Sequence, residues 1–236
     1  MTQVSRRRRW CITLCAMPPD RSSPLVAGLL LLVWVLLLGA VTGLGWLLTH
    51  PLRTSVDPWD NGISRWFASE RTPTLNTPAD LGTLLGETVV GVAVALLAGV
   101  GFSLWRRSWR PLLFVVLAEA GIGALYFVVT HVDSRQRPPV RILDPGLVAD
   151  HSFPSGHVAT AVVAYGGLVL LVAAYATTAR ARAWALPLLL LPVAVLFSRL
   201  YQGAHHLTDV LTSVAYATLW LLVLARLLLP RISSAR

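Results

Sequence analysis

The chain has 236 residues, of which 55% are hydrophobic and only 13% are charged. Several apolar runs are long enough to cross a bilayer as helices, so the composition excludes a soluble globular domain. The formal net charge is +9, and every basic residue is an arginine. Because these arginines fall mainly at the ends of apolar runs, they indicate membrane orientation and not nucleic-acid binding.

Taken in chain order, the apolar runs predict an all-α polytopic membrane protein, a six-transmembrane helix bundle. Residues 1–23 form a basic tail that we expect to be disordered and cytoplasmic. The membrane domain follows at 24–229, and 230–236 form a second cytoplasmic tail. Cys11 and Cys15 lie in the first tail, where neither a disulfide nor a metal site is expected. The predicted spans are 24–48, 81–105, 111–131, 158–178, 184–197 and 206–229.

The arginine pattern predicts the orientation of the bundle. Both termini, the 106–110 loop and the 180–182 linker fall on one face, which the positive-inside rule makes cytoplasmic. The loop after the third span breaks this rule, because it carries Arg135, Arg137 and Arg141 on the outer face. We therefore expect catalytic loops on the extracytoplasmic side of the cell membrane. The polar stretch between the first two spans is predicted to be an external loop.

Three polar clusters stand at this outer face. The first surrounds Arg137, the second ends at His157, and the third runs from Ser198 to Asp209. The second and third are separated by 40 residues, mostly Val, Leu and Ala. Two helical crossings of a bilayer need about 20 residues each, so the third cluster returns to the side of the second. The clusters are expected to meet.

The clusters contain residue types that bind phosphate. Arg137 and Arg199 carry planar guanidinium groups, which suit bidentate contact with phosphate oxygens. The Pro-Ser-Gly-His segment opens a helix, where the Ser155 hydroxyl is expected to cap. The free amides of Ser155, Gly156 and His157, together with the helix dipole, favour a negatively charged ligand.

The same clusters contain groups suited to nucleophilic catalysis. His205 and Asp209 are spaced i, i+4, so they are neighbours at the start of the last helix. A carboxylate bonded to one imidazole nitrogen leaves the other free to attack phosphorus. His157 is then placed to protonate the leaving oxygen and later to deprotonate water. Arginines and amides can neutralise the phosphate oxygens, so the scheme requires no metal.

These motifs resemble those of a known family. Arg137-Pro138, the Pro-Ser-Gly-His segment and the Ser-Arg-x5-His-x3-Asp segment look like the three signatures of the type 2 phosphatidic-acid phosphatase and vanadium haloperoxidase superfamily. The resemblance covers about residues 80–229 and implies a membrane lipid phosphatase without a cofactor. It implies catalytic roles for His205, His157 and Asp209, and phosphate binding by Arg137, Ser155, Gly156 and Arg199.

One position departs from the family pattern. The lysine that usually precedes the first-motif arginine by seven positions is Thr130 here. Either Arg135, Arg141 or His131 supplies the missing positive charge, or the phosphate is held by one fewer cation and turnover suffers. We favour substitution by a nearby arginine.

The sequence therefore predicts an extracytoplasmic-facing phosphatase acting through phosphohistidine on a lipid phosphomonoester or diphosphate. Polyprenyl diphosphate is preferred over phosphatidic acid and phosphatidylglycerol phosphate. The expected partners are the lipid phosphate and the bilayer, with no nucleic acid and no obligate protein partner. Two alternatives stay open. A phosphotransferase would pass the phosphoryl group to another acceptor, and a non-catalytic lipid-phosphate binding or transport protein would not need His205.

Four further polar residues receive weaker interpretations. His206 is expected to be a bystander, and His151 either touches substrate or faces water. Glu87 and Glu119 lie within predicted spans, where ionisable groups are costly and often functional. We place both outside the site, with Glu87 the stronger candidate for an exception.

Overall fold

The computed structural model describes residues 23–230. Most of both predicted tails and both cysteines therefore lie outside the described residues. Within the described range, the chain forms eight helices and no strand, and six of the helices are long and apolar enough to cross a membrane. The predicted all-α fold with six candidate spans is confirmed. The helices are α1 (Ser23–Thr49), α2 (Arg53–Ser69), α3 (Pro73–Gly86), α4 (Thr88–Arg106), α5 (Arg110–Val132), α6 (Gly156–Tyr175), α7 (Ala179–Tyr201) and α8 (Leu207–Leu228).

Helix α6 lies at the centre of the bundle. In the most apolar 18-residue stretch of each helix, 67% of the residues of α6 are buried, compared with 11% of those of α1. Small residues let neighbouring helices approach closely: a Cβ on Gly91 of α4 would lie 2.2 Å from Thr160 of α6. A Cβ on Gly121 of α5 would lie 2.3 Å from Trp220 of α8. These contacts hold α4 against α6 and α5 against α8.

The polar stretch between the first two spans is helical, so the prediction that it is a loop was wrong. It forms α2 and α3. A capping signal marks the start of α3, because Thr72 accepts a hydrogen bond from the Leu75 amide and Pro73 occupies the first position. Helix α2 buries Asp60 and Ser64. Because α2 packs through polar residues, its sequence lacks the apolar stripe by which a packed helix is usually recognised.

The second span is shorter than predicted. Helix α4 begins at Thr88, because Glu87 has an extended backbone (φ −56°, ψ 135°) that separates it from α3. The residue before the break, Gly86, packs tightly: a Cβ there would lie 2.6 Å from a methyl group of Val195 and 3.1 Å from His157. Glu87 therefore lies in a helix junction beside the predicted site and not inside a span.

Candidate active site

Arg137 joins the two loops that carry the motifs. Its Nε and Nη2 atoms donate to the carbonyl oxygens of Val148 and His151, which belong to the loop between α5 and α6. Its Nη1 donates to the carbonyl oxygen of Ala204, between α7 and α8, over 2.6 Å. Burial lowers the pKa of Arg137 from its usual value, yet a guanidinium stays protonated in proteins. The positive charge is thus fixed where the loops meet.

A tight turn at Gly203 places the third motif. The amides of Gly203 and Ala204 donate to the carbonyls of Leu200 and Arg199, an arrangement that ends α7. Gly203 has a φ of +71°, and a Cβ there would lie 2.7 Å from Val140. Glycine suits this position because it is free to adopt left-handed backbone angles. The chain then reverses into α8.

The turn buries His205 in a defined protonation state. His205 is 3% exposed, and its Nδ1 lies 2.7 Å from the carbonyl oxygen of Ser152. Because a carbonyl only accepts hydrogen bonds, Nδ1 carries a proton, so Nε2 is the nitrogen that keeps its lone pair in the neutral imidazole. Burial, aided by the positive charge of Arg199, lowers the pKa of His205 well below its ordinary value of 6.5. A neutral imidazole with a free Nε2 is suited to nucleophilic attack.

The i, i+4 spacing predicted a hydrogen bond between Asp209 and His205, but the structure does not show one. The two side chains are 3.9 Å apart at their nearest N and O atoms. Asp209 instead accepts from the Ser152 hydroxyl over 2.6 Å, from the His206 amide over 2.8 Å and from Arg135. It therefore acts on His205 through Ser152, whose carbonyl holds the imidazole.

Arg135 supports this carboxylate from the other side. It is 4% exposed and pairs with both Asp209 and Asp60, which is fully buried on α2. Burial alone would lower the pKa of Arg135, but these carboxylates raise it above its ordinary value. Asp60 also accepts from the hydroxyl and amide of Thr208 at the start of α8. The network connects α2 to α8 and to the loop between α5 and α6.

A cavity of about 230 Å³ brings several predicted residues together. It is bounded by α4, α5, α6 and the two loops, and it is lined by Arg137, Gly156, His157 and His205. Glu119, which the sequence placed outside the site, lines the same cavity, and its Oε1 atom is buried with no hydrogen-bond partner in the described part of the chain. Within the described residues, no three His, Cys, Asp or Glu side chains are grouped to hold a metal ion.

The buried Arg199 and Ser155 retain unused hydrogen-bonding capacity near this cavity. Arg199 is fully buried, and its Nη1 contacts Thr83, Gln202 and Asp144. Its Nε and Nη2 atoms, and the Ser155 hydroxyl, are buried with no partner among the described residues. Such atoms are costly unless a ligand or water satisfies them. Phosphate oxygens would accept from all three.

The predicted capping at the start of α6 differs from the structure in two respects. The Ser155 side chain makes no capping hydrogen bond, and its amide donates to the Ser213 hydroxyl over 2.8 Å. The amides of Gly156 and His157 are in the first turn, where no intrahelical acceptor exists. Two of the three amides expected to face an anion are therefore left for that purpose.

Comparison with known proteins agrees with this architecture. A family model described as the PAP2 superfamily matches residues 109–233, just over half of the chain. The chain belongs to the PAP2 superfamily. The fold is similar to the crystal structure of a transmembrane PAP2-type phosphatidylglycerolphosphate phosphatase from Bacillus subtilis, with 25% identity, a TM-score of 0.66, and coverage of 84% of this chain and 92% of that chain. No curated protein matches the chain. The two matches support a lipid phosphatase.

Within this PAP2 chain, the structure does not bring the proposed replacements for the motif lysine into the cavity. The Thr130 hydroxyl donates back to the Tyr126 carbonyl of its own helix. Arg135 is occupied by carboxylates, and Arg141 is exposed. His131 is exposed at the end of α5, where its Nδ1 bonds the Phe127 carbonyl. None of these four residues is among those that line the cavity.

Other histidines lie around the site of this PAP2 chain. His206 begins α8, and its Nε2 contacts Asn61 of α2 over 3.1 Å. It lines a second, polar cavity of about 430 Å³ that shares Arg137 with the first. His151 lies beside His131, with ring centroids 5.6 Å apart, and supplies a carbonyl to Arg137.

Sequence reasoning missed the residues that support the motifs. Asp60, Ser152 and Asp144 lie outside the family signatures, and no periodicity distinguishes them. Glu87 was also placed outside the site, although a carboxyl group in an apolar region is a signal in itself and made Glu87 the stronger candidate for an exception. The structure places its Oε1 3.2 Å from Nε2 of His157.

Proposed function

We propose that this protein is an integral membrane phosphatase that hydrolyses a phosphomonoester or diphosphate carried by a lipid. The observation that carries the proposal is the hydrogen bond from Nδ1 of His205 to the Ser152 carbonyl, which leaves Nε2 beside the cavity as the nitrogen available to attack phosphorus. A binding or transport protein would have no need of an imidazole held in this way. The nucleophile therefore favours catalysis over binding alone.

The reaction proceeds in two steps. In the first, Nε2 of His205 forms a bond to phosphorus, the bond from phosphorus to the lipid oxygen breaks, and His157 gives that oxygen a proton. In the second, His157 takes a proton from water, the water oxygen bonds phosphorus, and the phosphorus–nitrogen bond breaks. Inorganic phosphate leaves, and both histidines return to their starting states.

Charge on the phosphoryl oxygens is neutralised by the protein. Arg137 is fixed at the junction of the loops, and Arg199 offers two nitrogen atoms, Nε and Nη2, that have no partner among the described residues. The Ser155 hydroxyl and the amides of Gly156 and His157 supply further donors. Preorganised donors of this kind stabilise a phosphoryl transition state without a metal ion.

The membrane setting supports a lipid substrate. Three of the six apolar helices, α4, α5 and α6, line the cavity together with the two loops, and a headgroup can arrive there laterally within a leaflet. The arginine distribution supports cytoplasmic termini and an extracytoplasmic site in the cell membrane. The candidate substrates are polyprenyl diphosphate, phosphatidic acid and phosphatidylglycerol phosphate. The similar Bacillus subtilis protein is a phosphatidylglycerolphosphate phosphatase, which supports including the last of these.

The test is release of inorganic phosphate by the detergent-purified full-length protein from short-chain forms of these three substrates, with a metal chelator present. We expect release that persists in chelator and is lost in His205→Ala. His131→Ala is the matched control, because this exposed histidine bonds only its own helix and its neighbour. Thermal unfolding in detergent checks that both variants are folded.

Three outcomes would contradict the proposal. No release from any substrate would show that the protein is not a phosphatase for these lipids. Undiminished release by His205→Ala would show that His205 is not the nucleophile. Release that appears only when an alcohol acceptor is supplied, with the phosphoryl group recovered on that alcohol, would identify a phosphotransferase.

A further inference from the structure

The contact between Glu87 and His157 is not accounted for by the reaction as described. Glu87 lies in the junction between α3 and α4, seventy residues before His157 at the start of α6. Its Oε1 atom is 3.2 Å from Nε2 of the imidazole. The Glu87 side chain is 46% exposed, whereas that of His157 is 17% exposed. A solvated carboxylate thus reaches a largely buried imidazole that lines the cavity.

We infer that Glu87 is a positioning residue that holds His157 in the orientation required for proton transfer to the leaving group. This inference rests on the proposed phosphatase function and deepens the account of the same site. Glu87 touches neither phosphorus nor the leaving oxygen, so its effect passes through the imidazole.

The hydrogen bond to Glu87 determines which nitrogen of His157 can exchange a proton with the substrate. A carboxylate accepts, so Nε2 carries a proton directed at Glu87. No hydrogen bond engages Nδ1 within the described part of the chain, so Nδ1 is the nitrogen left to exchange a proton with the substrate. When Nδ1 is protonated, the carboxylate stabilises the imidazolium that results. Glu87 therefore supports His157 in both reaction steps, as a donor to the lipid oxygen and as an acceptor from water.

The local fold holds Glu87 in this position. The junction is short, and Gly86 packs against His157 so closely that a Cβ would lie 3.1 Å from the His157 Cβ. Tyr165, two turns further along α6, donates to the Leu85 carbonyl over 3.0 Å. The α3–α4 junction is thus bound to α6 at two points beside Glu87, and the carboxylate has little freedom to leave the imidazole.

The role of Glu87 can be tested by changing the leaving group. An alkyl phosphate, such as a short-chain phosphatidic acid, needs a proton on its departing oxygen, whereas para-nitrophenyl phosphate releases a stable phenolate with little help. General acid catalysis contributes about 10²–10⁴-fold. We expect Glu87→Gln to lower kcat/KM, which reports the steps up to phosphoenzyme formation, by about tenfold or more for the alkyl phosphate and by less than about threefold for the aryl phosphate. Glu87→Asp, which keeps the charge, should recover part of the loss.

Two further variants complete the design. Glu70→Gln removes an exposed carboxylate at the end of α2 and should leave both substrates unaffected. The double variant Glu87→Gln/His157→Ala should be no slower than His157→Ala alone, because Glu87 acts through a ring that is no longer present. Purified full-length protein is used throughout, and thermal unfolding in detergent checks folding.

The possible results separate this inference from the phosphatase proposal. Equal losses on alkyl and aryl substrates, or a further loss in the His157→Ala background, would show a structural role and overturn the inference. Activity of Glu87→Gln equal to that of Glu70→Gln would also overturn it, with the phosphatase intact. Absence of phosphate release by the unmodified protein would overturn both.

Discussion

The carbonyl oxygen of Ser152 accepts a hydrogen bond from Nδ1 of His205 over 2.7 Å, and these two residues are 53 positions apart in the chain. The same serine donates from its hydroxyl to Asp209, which lies one helical turn after His205. Ser152, in the loop between α5 and α6, therefore holds the imidazole with its backbone and the carboxylate with its side chain. This arrangement connects the second and third motifs.

Ser152→Ala tests this connection. The substitution keeps the carbonyl that holds His205 but removes the hydroxyl that donates to Asp209 over 2.6 Å. Since hydrogen bonds to charged groups contribute about 1.5–3 kcal/mol, we expect the free energy of unfolding to fall by about that amount. Activity should fall through kcat, with KM little changed. The measurements are unfolding in detergent and steady-state kinetics.

Ser69→Ala is the control for Ser152→Ala, because that exposed hydroxyl bonds only a carbonyl of its own helix. Equal stability of the two variants would contradict a contribution from the buried hydroxyl of Ser152.

The buried pair formed by Arg135 and Asp60 should couple α2 to the site. Removing one partner of a buried ion pair costs about 3–5 kcal/mol, because the remaining charge is left unpaired. Arg135→Gln should therefore destabilise the fold more than Asp60→Asn, since it strands Asp209 as well as Asp60. A double-mutant cycle on thermal unfolding measures the coupling. Strictly additive effects would show that the pair contributes no interaction energy.

Asp144→Asn should strengthen anion binding. The Asp144 carboxylate is 2.9 Å from Nη1 of Arg199, so it competes with phosphate for that guanidinium and repels a dianion. One unit charge several ångströms away changes binding by about 1 kcal/mol in a partly solvated site, which is about fivefold to tenfold. We expect a Ki for inorganic phosphate or orthovanadate lower by that factor.

Asp150→Asn is the control for charge alone, because that carboxylate is 45% exposed. A higher Ki in Asp144→Asn would show that the carboxylate orients Arg199 more than it competes with the ligand.

The protonation of His205 predicts the acid side of the pH profile. A histidine is neutral above its pKa, and the lowered pKa of His205 extends the neutral range downward from 6.5. With para-nitrophenyl phosphate, which needs little general acid, the single-turnover rate of phosphoenzyme formation should stay nearly constant from about pH 8 to about pH 6. A rate that falls as a group with a pKa near 6.5 becomes protonated would contradict the buried, neutral nucleophile.

Much of the site could be predicted from local signals. Six apolar runs of spanning length specify the helices, because backbone groups in a bilayer must be bonded within each segment. The return of the chain after two crossings places His205 near His157, and both line one cavity in the structure. Their assigned chemical roles, and those of Asp209 and the phosphate-binding residues, stay predictions.

The supporting residues were not accessible to the same reasoning. Helix α2 is polar, so its sequence looks like that of a solvated loop. Only the ion pair between Arg135 and Asp60 shows that one face of it is buried. Asp209 was expected to bond His205 because the two are one turn apart, but the loop inserts Ser152 between them. Glu87 was assigned to a span, although a break in the helix places it beside His157.

The helical class, the number of candidate spans and the residue types gathered in the motif loops follow from the sequence alone, because hydrophobic length and motif spacing are properties of the local chain. The tertiary structure alone decided which carboxylate meets which cation, which nitrogen of His205 is free and what holds His157. Those outcomes depend on contacts between residues 53 to 75 positions apart, and local sequence patterns carry no information about such contacts.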